Sequence, residues 1–429
     1  MNETAGDVVT VRLGEFDNHG TTRARIGGRW IEIEHGVPGE TVKAELMGEK
    51  RQRGRIVDLV KAANDRVFPP CEYFREWACG GCQWQHISYR SQLRRKRRAI
   101  EDAMNRAGLD LSVTGTHALD DPWRYRSTAG ISLGRHAGFR RHGSLAIVPI
   151  RDCLISHPLI SSLMARLNDL INAGDLPNLR GRVRLEVSVA DGPVLQIAVR
   201  LDADRPPPSD DVGLLTSTLA GLEDVAGLSL LSLDGSLDVL RGEPFAPTTI
   251  ADRPVFMHAG SFFQTNLLLL PQLIARLQQE AAPLAGKRVA DVYGGVGVFG
   301  LFLALDAAEA TIIEADPLAE EACRRTTAAW RLDNVRFRAE EAETALRDAG
   351  SFDVVVLDPP RTGLSDPVIE SLVEGAPSTI LYVSCLAQSL ARDLHVLMAE
   401  GYTVEHLELF DFYPQTYHVE VLAVLRREE

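Results

Sequence analysis

The sequence predicts a multidomain α/β protein with three parts: an N-terminal OB-like β-barrel, a central α+β domain with a cysteine cluster, and a C-terminal Rossmann-like domain. Three observations predict it. Residues 7–61 alternate apolar and polar positions in short runs broken by turn residues. Cys71, Cys79 and Cys82 follow closely on that segment. From about Pro271 onward, strand-like and helix-like segments alternate to the end of the chain. A chain of 429 residues has room for roughly two to four domains.

The barrel, residues 1–62, is expected from strands at Val8–Leu13, Trp30–Glu34, Thr41–Leu46 and Arg55–Val60, with Gly27-Gly28 and Pro38-Gly39 as turns. The central part, residues 63–250, opens with the cysteines. A basic helix follows from about Tyr89 to Ala107, ended by Gly108 and expected to pack on the C-terminal domain. Strands are expected at Leu185–Val189 and Val194–Val199, and a loop at Arg205-Pro-Pro-Pro-Ser-Asp-Asp211. In residues 251–429 the segments Val289–Tyr293, Thr311–Ala315, Val335–Arg338, Val354–Leu357 and Thr379–Ser384 read as strands alternating with helices, the signature of a doubly wound α/β domain, and the apolar run before Cys385 reads as a buried one.

Hydrophobic residues make up 45% and charged residues 24%, as in an ordinary globular protein. The N-terminus is polar and lacks a signal-peptide core, and no apolar run reaches the roughly 18 residues that a membrane span requires. A cytoplasmic protein, taken as a monomer, is expected. The net charge of -13 is unevenly spread: residues 1–150 carry 24 Lys/Arg against 18 Asp/Glu, and residues 151–429 carry 22 against 41. Positive charge gathers between Lys50 and His142, notably in Arg94-Arg-Lys-Arg-Arg98 and at Arg124, Arg126, Arg135, Arg140 and Arg141. A basic front half on an acidic chain is the footprint of polyanion binding, although a charge run is also an ordinary solvated helix face.

Cys385 ends the run Thr379-Ile-Leu-Tyr-Val-Ser-Cys385 and precedes a helix expected over Leu386–Met398. A thiol beyond the carboxyl end of a parallel strand sits where open α/β sheets bind ligands, and the helix N-terminus is expected to lower its pKa. A lone cysteine is otherwise a small core residue; its neighbours argue for more. Asp291-Val-Tyr-Gly-Gly-Val-Gly297 follows one strand and opens a helix, with Tyr293 and Gly295 on the turn. Glu314 ends the next strand, where a carboxylate can accept from ribose hydroxyls. This pattern fits S-adenosylmethionine at least as well as a dinucleotide. Asp358-Pro-Pro-Arg361 follows a third strand, but Arg361 stands where amine methyltransferases carry an aromatic residue for stacking on the base. Gln264, in Phe262-Phe-Gln-Thr-Asn266, offers an amide for a base edge or a cofactor. Cys79-Gly-Gly-Cys82 resembles a metal clip, and with Cys71 and Cys153 four thiolates are available. Iron–sulfur is the leading occupant, structural zinc the other, and free thiols the remaining reading.

Together these motifs resemble the bacterial 5-methyluridine RNA methyltransferases, the RumA/TrmA-like family, in its iron–sulfur members with a TRAM domain. The match spans nearly the whole chain. The resemblance implies that residues 1–61 form a TRAM RNA-binding barrel and that Cys71, Cys79, Cys82 and Cys153 ligate a [4Fe-4S] cluster. It implies a class I methyltransferase domain in which Gln264, Tyr293, Gly295, Glu314, Glu341 and Asp358 line the cofactor and uracil pocket. Gln264, Asp358 and Arg361 would contact the base. Cys385 would be the nucleophile, and Glu420, in Asp411-Phe-Tyr-Pro-Gln-Thr-Tyr-His-Val-Glu420, the general base. Three positions depart from the family pattern: the Cys71–Cys79 gap is two residues longer, Leu386-Ala387 replaces Asn-Pro, and Val298 replaces Asn.

The implied reaction is S-adenosylmethionine-dependent methylation of uracil C5 in RNA through a covalent Cys–C6 intermediate. Ribosomal RNA, 23S in particular, is the expected partner, with transfer RNA as the alternative. A non-catalytic RNA-binding protein, a radical methylthiotransferase and a cytosine-C5 methyltransferase are the rivals. The first is opposed by the presence of both Cys385 and Glu420, the second by the C-x7-C-x2-C spacing, and the third by the terminal Glu motif.

Overall fold

In a computed structural model, residues 6–17, 19–47, 53–76, 79–232, 236–348 and 350–427 are described. The polar extreme N-terminus (1–5) and Lys50 of the basic stretch lie outside them. The chain divides into two compact units. The first holds residues 1–96, 141–143 and 413–417; the second holds 97–140, 144–412 and 418–429.

In the first unit, five strands (Val8–Arg12, Thr22–Ile26, Arg29–Glu34, Thr41–Met47 and Arg53–Lys61) form one curled sheet. Their spatial order is first, fourth, fifth, third, second, with the third and fifth parallel. Alternation places Leu13, Ala24, Ile26, Ile33, Val42 and Ala44 on the buried face. The strand Thr22–Ile26 was not anticipated, because three of its five residues are Thr or Arg. Its buried face is made by Ala24, Ile26 and the Thr22 hydroxyl, which donates to Ile33 O at 2.8 Å.

The basic helix runs Tyr89–Arg106 and stops before Gly108, which is left-handed at φ +79°. Part of its cationic run is engaged within the fold, while Arg94, Arg97 and Arg98 remain exposed. Lys96 is fully buried and donates to Tyr413 O at 2.9 Å. Arg95 pairs with Asp65 at 2.8 Å, and Arg97 donates to Val113 O at 2.9 Å. Beyond Arg97 the helix supplies Ile100, Ala103 and Met104 to the main core of the second unit, as expected from its apolar spacing.

The second unit contains two large sheets. A seven-stranded sheet includes Thr128–Leu133, Val183–Ala190 and Val194–Leu201, antiparallel in register Val187↔Ala129 and Val187↔Ile197. The eight-stranded sheet carries the site. Five parallel strands lie in the spatial order Val335–Arg338, Glu309–Ile313, Arg288–Val292, Val354–Leu357, Thr379–Ser384. The antiparallel strand Glu420–Arg427 follows, then Tyr402–Phe410, and finally the short edge strand Gly115–His117. Reversal of order about the Arg288–Val292 strand opens a crevice at the carboxyl ends. Helices cover the sheet because its strands are apolar on both faces: Val354–Leu357 and Thr379–Ser384 are buried at every position.

Candidate active site at the carboxyl ends of the parallel strands

Each of the four central parallel strands ends in a residue that the sequence had marked. Tyr293, Glu314, Asp358 and Cys385 immediately follow Val292, Ile313, Leu357 and Ser384, which are the last residues of their strands. Val292 pairs with both Ile313 and Leu357, so three of those ends are level. Glu420 joins them from the antiparallel strand. Ser384 pairs with Val421, which brings Cys385 and Glu420 face to face across the ladder.

Cys385 is half-buried and Glu420 is 4% exposed. The Oε1 atom of Glu420 is buried and has no hydrogen-bond partner among the described residues. An unpaired buried carboxylate oxygen costs about 1–3 kcal/mol or more and marks a place for a ligand proton or donor. Burial raises Glu420 well above the usual carboxylate range, Asp358 adds to the rise, and Arg361 opposes it. Asp358 is pushed up to about 7 by burial and then by Asp291, against a hydrogen bond from Gln264 Nε2 to its Oδ2 at 3.1 Å. The Cys385 thiol rises to about 11 through burial, then Glu420 and Asp358, with Arg361 opposing. The expected lowering by the helix N-terminus is therefore corrected: burial and two adjacent carboxyl groups outweigh the end of one helix.

That helix spans Ala387–Ala399. Leu386, where the family has Asn, is extended and is held by two hydroxyls. Its N–H donates to Ser384 Oγ at 3.3 Å, and its carbonyl accepts from Ser389 Oγ at 3.0 Å. The loop behind Cys385 is thus fixed by serines in place of an Asn-Pro pair. Asp393, which carried no signal in the sequence, ties the same helix to the Asp358 loop. It is fully buried and accepts from Tyr382 Oη at 2.7 Å and from Leu364 N at 2.9 Å.

The glycine loop has the geometry its composition demands. Tyr293, Gly295 and Gly297 have φ of +61°, +55° and +85°. A Cβ on Gly297 would collide with Ile312 Cδ1, whereas one on Gly295 would meet nothing nearer than Phe262 O at 3.9 Å. Gly297 is thus required by packing, while Gly295 borders open space. Asp291 anchors the turn from beneath, accepting from Gly300 N at 2.7 Å; its other oxygen, Oδ1, is buried without a partner among the described residues. Glu314 accepts from Gly295 N at 3.1 Å and from Asp316 N at 3.0 Å, so its carboxylate is fixed against the loop. Val298, at the family's Asn position, is buried at the start of the helix Val298–Leu303.

Gln264 belongs to this group through Asp358. Arg361 is exposed, with Nη2 3.3 Å from His418 Nδ1. Glu341 is exposed, just before the short helix Ala342–Asp348, and together with Glu343 helps hold the Tyr293 phenol up near 12, chiefly an effect of burial. Sequence reasoning did not single out His418 or Asp291 as individual site residues, although both stand inside quoted motifs.

Cys71, Cys79 and Cys82 lie in the first unit and Cys153 in the second, all half-buried. Cys71 caps the short helix Glu72–Arg75, and Cys79 Sγ accepts from Gly81 N at 3.4 Å. The one group of three potential metal ligands gathered within 4.8 Å among the described residues is Glu280, Glu405 and His406. Its carboxylates are already engaged: Arg426 reaches Glu280 at 2.7 Å and Glu405 at 3.1 Å, and Arg276 also pairs with Glu280. That cluster is an ion-pair network.

The tRNA (Uracil-5-)-methyltransferase family matches residues 249–428, which contain the whole of this site apart from its supporting elements. That segment is similar to the family's members over 180 residues. Relatives extend over the full length. An RNA methyltransferase of Halalkalibacterium halodurans is 29% identical over 98% of this chain and 97% of its own. The 23S rRNA (uracil(1939)-C(5))-methyltransferase RlmD of Shewanella piezotolerans is 28% identical over 97% and 95%. The crystal structure of Pyrococcus abyssi tRNA (uracil-54, C5)-methyltransferase, solved with S-adenosyl-L-homocysteine, superposes with a TM-score of 0.75 at 22% identity, covering 97% of this chain and all of that one. Over nearly its whole length the chain is similar to proteins named RNA methyltransferases, and it shares its fold with a solved uracil methyltransferase. Among the described residues no helix is long and apolar enough to cross a membrane.

Proposed function

We propose that the enzyme methylates C5 of uracil in RNA, using S-adenosylmethionine, with Cys385 as nucleophile and Glu420 as base. The observation that carries this reading is the pairing of a half-buried thiol with a buried, unpartnered carboxylate oxygen across one strand ladder. Uracil C5 is a weak nucleophile. Addition of the Cys385 sulfur to C6 forms an S–C6 bond and pushes electron density onto C5, which then takes the methyl group. Glu420 removes the C5 proton, the S–C6 bond breaks, and the thiolate is regenerated. Asp358, poised between its charged and neutral forms near pH 7, can pair with the polar edge of the base together with Gln264. A base must leave its stack to reach such a crevice.

S-adenosylmethionine supplies an electrophilic methyl group and a positive charge. The residues present suit it: an open face at Gly295, a fixed acid at Glu314 and a crowd of buried carboxyl groups with one arginine among them. Tyr293 and Glu341 complete this lining.

The first unit reads as a TRAM RNA-binding barrel, supported by its five strands and their order. We retain three functional parts, residues 1–62, 63–250 and 251–429. We assign Cys71, Cys79, Cys82 and Cys153 to a [4Fe-4S] cluster. The Gly81 N–H directed at Cys79 Sγ suits a thiolate ligand.

Ribosomal RNA is the favoured substrate because the RlmD relative aligns over nearly its whole length; the Pyrococcus structure keeps transfer RNA as the second reading. The test uses RNA carrying tritium at uracil C5. One tritium should be released per methyl transferred. Methyl incorporation without tritium release would overturn the C5 assignment, and mapping 5-methyluridine in cells with and without the gene separates the two RNAs.

A further inference from the structure

Some of the basic residues expected to bind a polyanion are engaged within the fold. Arg124 pairs with Asp152 at 2.6 Å, and Arg126 Nε donates to Thr128 O at 2.9 Å. Arg135 differs. It lies on the turn between the strands Thr128–Leu133 and Ala137–Arg140, exposed, with no ion pair or side-chain hydrogen bond among the described residues. Arg180 stands opposite, on the loop before the strand Val183–Ala190, and is likewise exposed and unengaged.

Both line one cleft of about 640 Å³ in the second unit. Its walls are the 134–136 turn, the segment 145–147 and the loop residues Asn178, Arg180 and Gly181. No carboxylate is among the lining residues. The shape is built by close backbone approach. Gly181 N donates to Leu133 O at 2.8 Å, and a Cβ on Gly134 would stand 2.9 Å from Ile147 Cδ1 and 3.1 Å from Gly181 N. Arg180 is left-handed at φ +55°, with its N–H donating to Asn178 Oδ1 at 3.0 Å. A non-glycine residue there carries strain of about 1–2 kcal/mol. Leu145, 76% exposed, adds an apolar surface to the rim.

We infer that this cleft is a phosphodiester-binding subsite for the RNA substrate, in which Arg135 and Arg180 hold backbone phosphates. Two guanidinium groups without carboxylate partners match phosphate geometry and keep their donors available. The adjacent exposed Leu145 suits a sugar or base face. This inference rests on the RNA reading above and adds to it a place on the protein remote in sequence from the methyl-transfer residues.

The test is Arg135→Ala/Arg180→Ala in the full chain, with Arg151→Ala as a charge control, since Arg151 is exposed but bound to Asp169. Methyl transfer to a uridine-containing RNA and the Kd of the same labelled RNA are measured from 50 to 300 mM salt. KM and Kd should rise about tenfold with kcat unchanged. The slope of log affinity against log salt should shrink by about two, one for each lost phosphate contact. Arg→Lys at both positions should restore the slope, and the control should behave as wild type. Unchanged Kd and slope in a double variant that still methylates at the wild-type kcat would overturn the cleft assignment while leaving the uracil reading intact. Failure of the wild-type enzyme to methylate any uridine RNA would instead overturn the functional reading.

Discussion

Cys385, one residue past the end of its strand, lies level with Glu420, the first residue of the adjacent antiparallel strand, because Ser384 and Val421 are register partners. They are separated by 34 residues of sequence, most of them spent on the helix Ala387–Ala399 and the return strand Tyr402–Phe410. The consequence is electrostatic as well as spatial. The carboxyl group raises the thiol pKa, and Asp358 raises both. Positive charge or hydrogen-bond donors arriving with ligands would lower all three, so the site becomes reactive as it fills.

Replacing Glu420 by Gln removes the base while keeping the side chain's shape. Addition of Cys385 to C6 and methyl transfer should still proceed, but release requires loss of the C5 proton. A protein–RNA adduct that survives denaturing electrophoresis should accumulate. Adding Cys385→Ala should abolish the adduct and reduce turnover by on the order of 10⁴-fold. An adduct that persists in the double variant would assign the nucleophile elsewhere.

Asp358 has a folded-state pKa of about 7 against an ordinary value near 3.8. Its proton is bound more tightly in the folded protein, so this stability is complete below about pH 4 and is lost as pH rises through 7. Asp358→Asn should therefore leave thermal stability nearly unchanged at pH 4. At pH 8 it should add on the order of 1–3 kcal/mol, raising Tm by about 2–4 °C per kcal/mol. Equal Tm shifts at both pH values would show that Asp358 is not strained by its charge. Activity should fall at both, since Gln264 loses its carboxylate partner.

Much of the parallel sheet was legible because its central strands are nearly all apolar: Val354–Leu357 and Thr379–Ser384 fall where the pattern places them and are buried throughout. The strand-end residues were legible for the same reason, since a polar or reactive residue ending an apolar run has one place to go. What failed depended on non-local contact. Thr22–Ile26 looked too polar for a strand because one polar side chain, Thr22, is satisfied across the sheet. Lys96 looked like part of a nucleic-acid surface, although a backbone carbonyl more than three hundred residues away holds it in the interior. The thiol pKa was misjudged because the helix was visible in the sequence and the crowding carboxyl groups were not. Asp393 was invisible: nothing local distinguishes a helix aspartate that faces a buried tyrosine from one that faces water.

The glycine loop separates packing from ligand access. Gly297→Ala places a Cβ against Ile312 at a left-handed position, and should destabilise the protein by about 1–3 kcal/mol. Gly295→Ala meets open space and should cost no more than about 1 kcal/mol, the backbone term alone. Its effect should appear in calorimetric titration as a weakened S-adenosylmethionine affinity, because the methyl group occupies the open side of the loop. If Gly295→Ala binds as well as wild type while Gly297→Ala remains fully stable, the loop geometry does not govern cofactor binding.

The cysteine assignment makes a separate prediction, since methyl transfer itself needs no redox chemistry. Protein prepared without oxygen should carry about four irons per chain and absorb visible light through thiolate–iron bonds. Cys79→Ser and Cys82→Ser should lose that absorbance and the iron, and chelation should lower thermal stability, because a site that binds only the folded chain contributes its binding free energy to folding. Cys323→Ser should leave the iron content unchanged, as Cys323 is buried in a different core beside Ile312 and Leu301. Stoichiometric zinc with no visible absorbance would replace the iron–sulfur assignment by a structural zinc site, and iron retained in both serine variants would remove the Cys79-Gly-Gly-Cys82 clip from the ligand set.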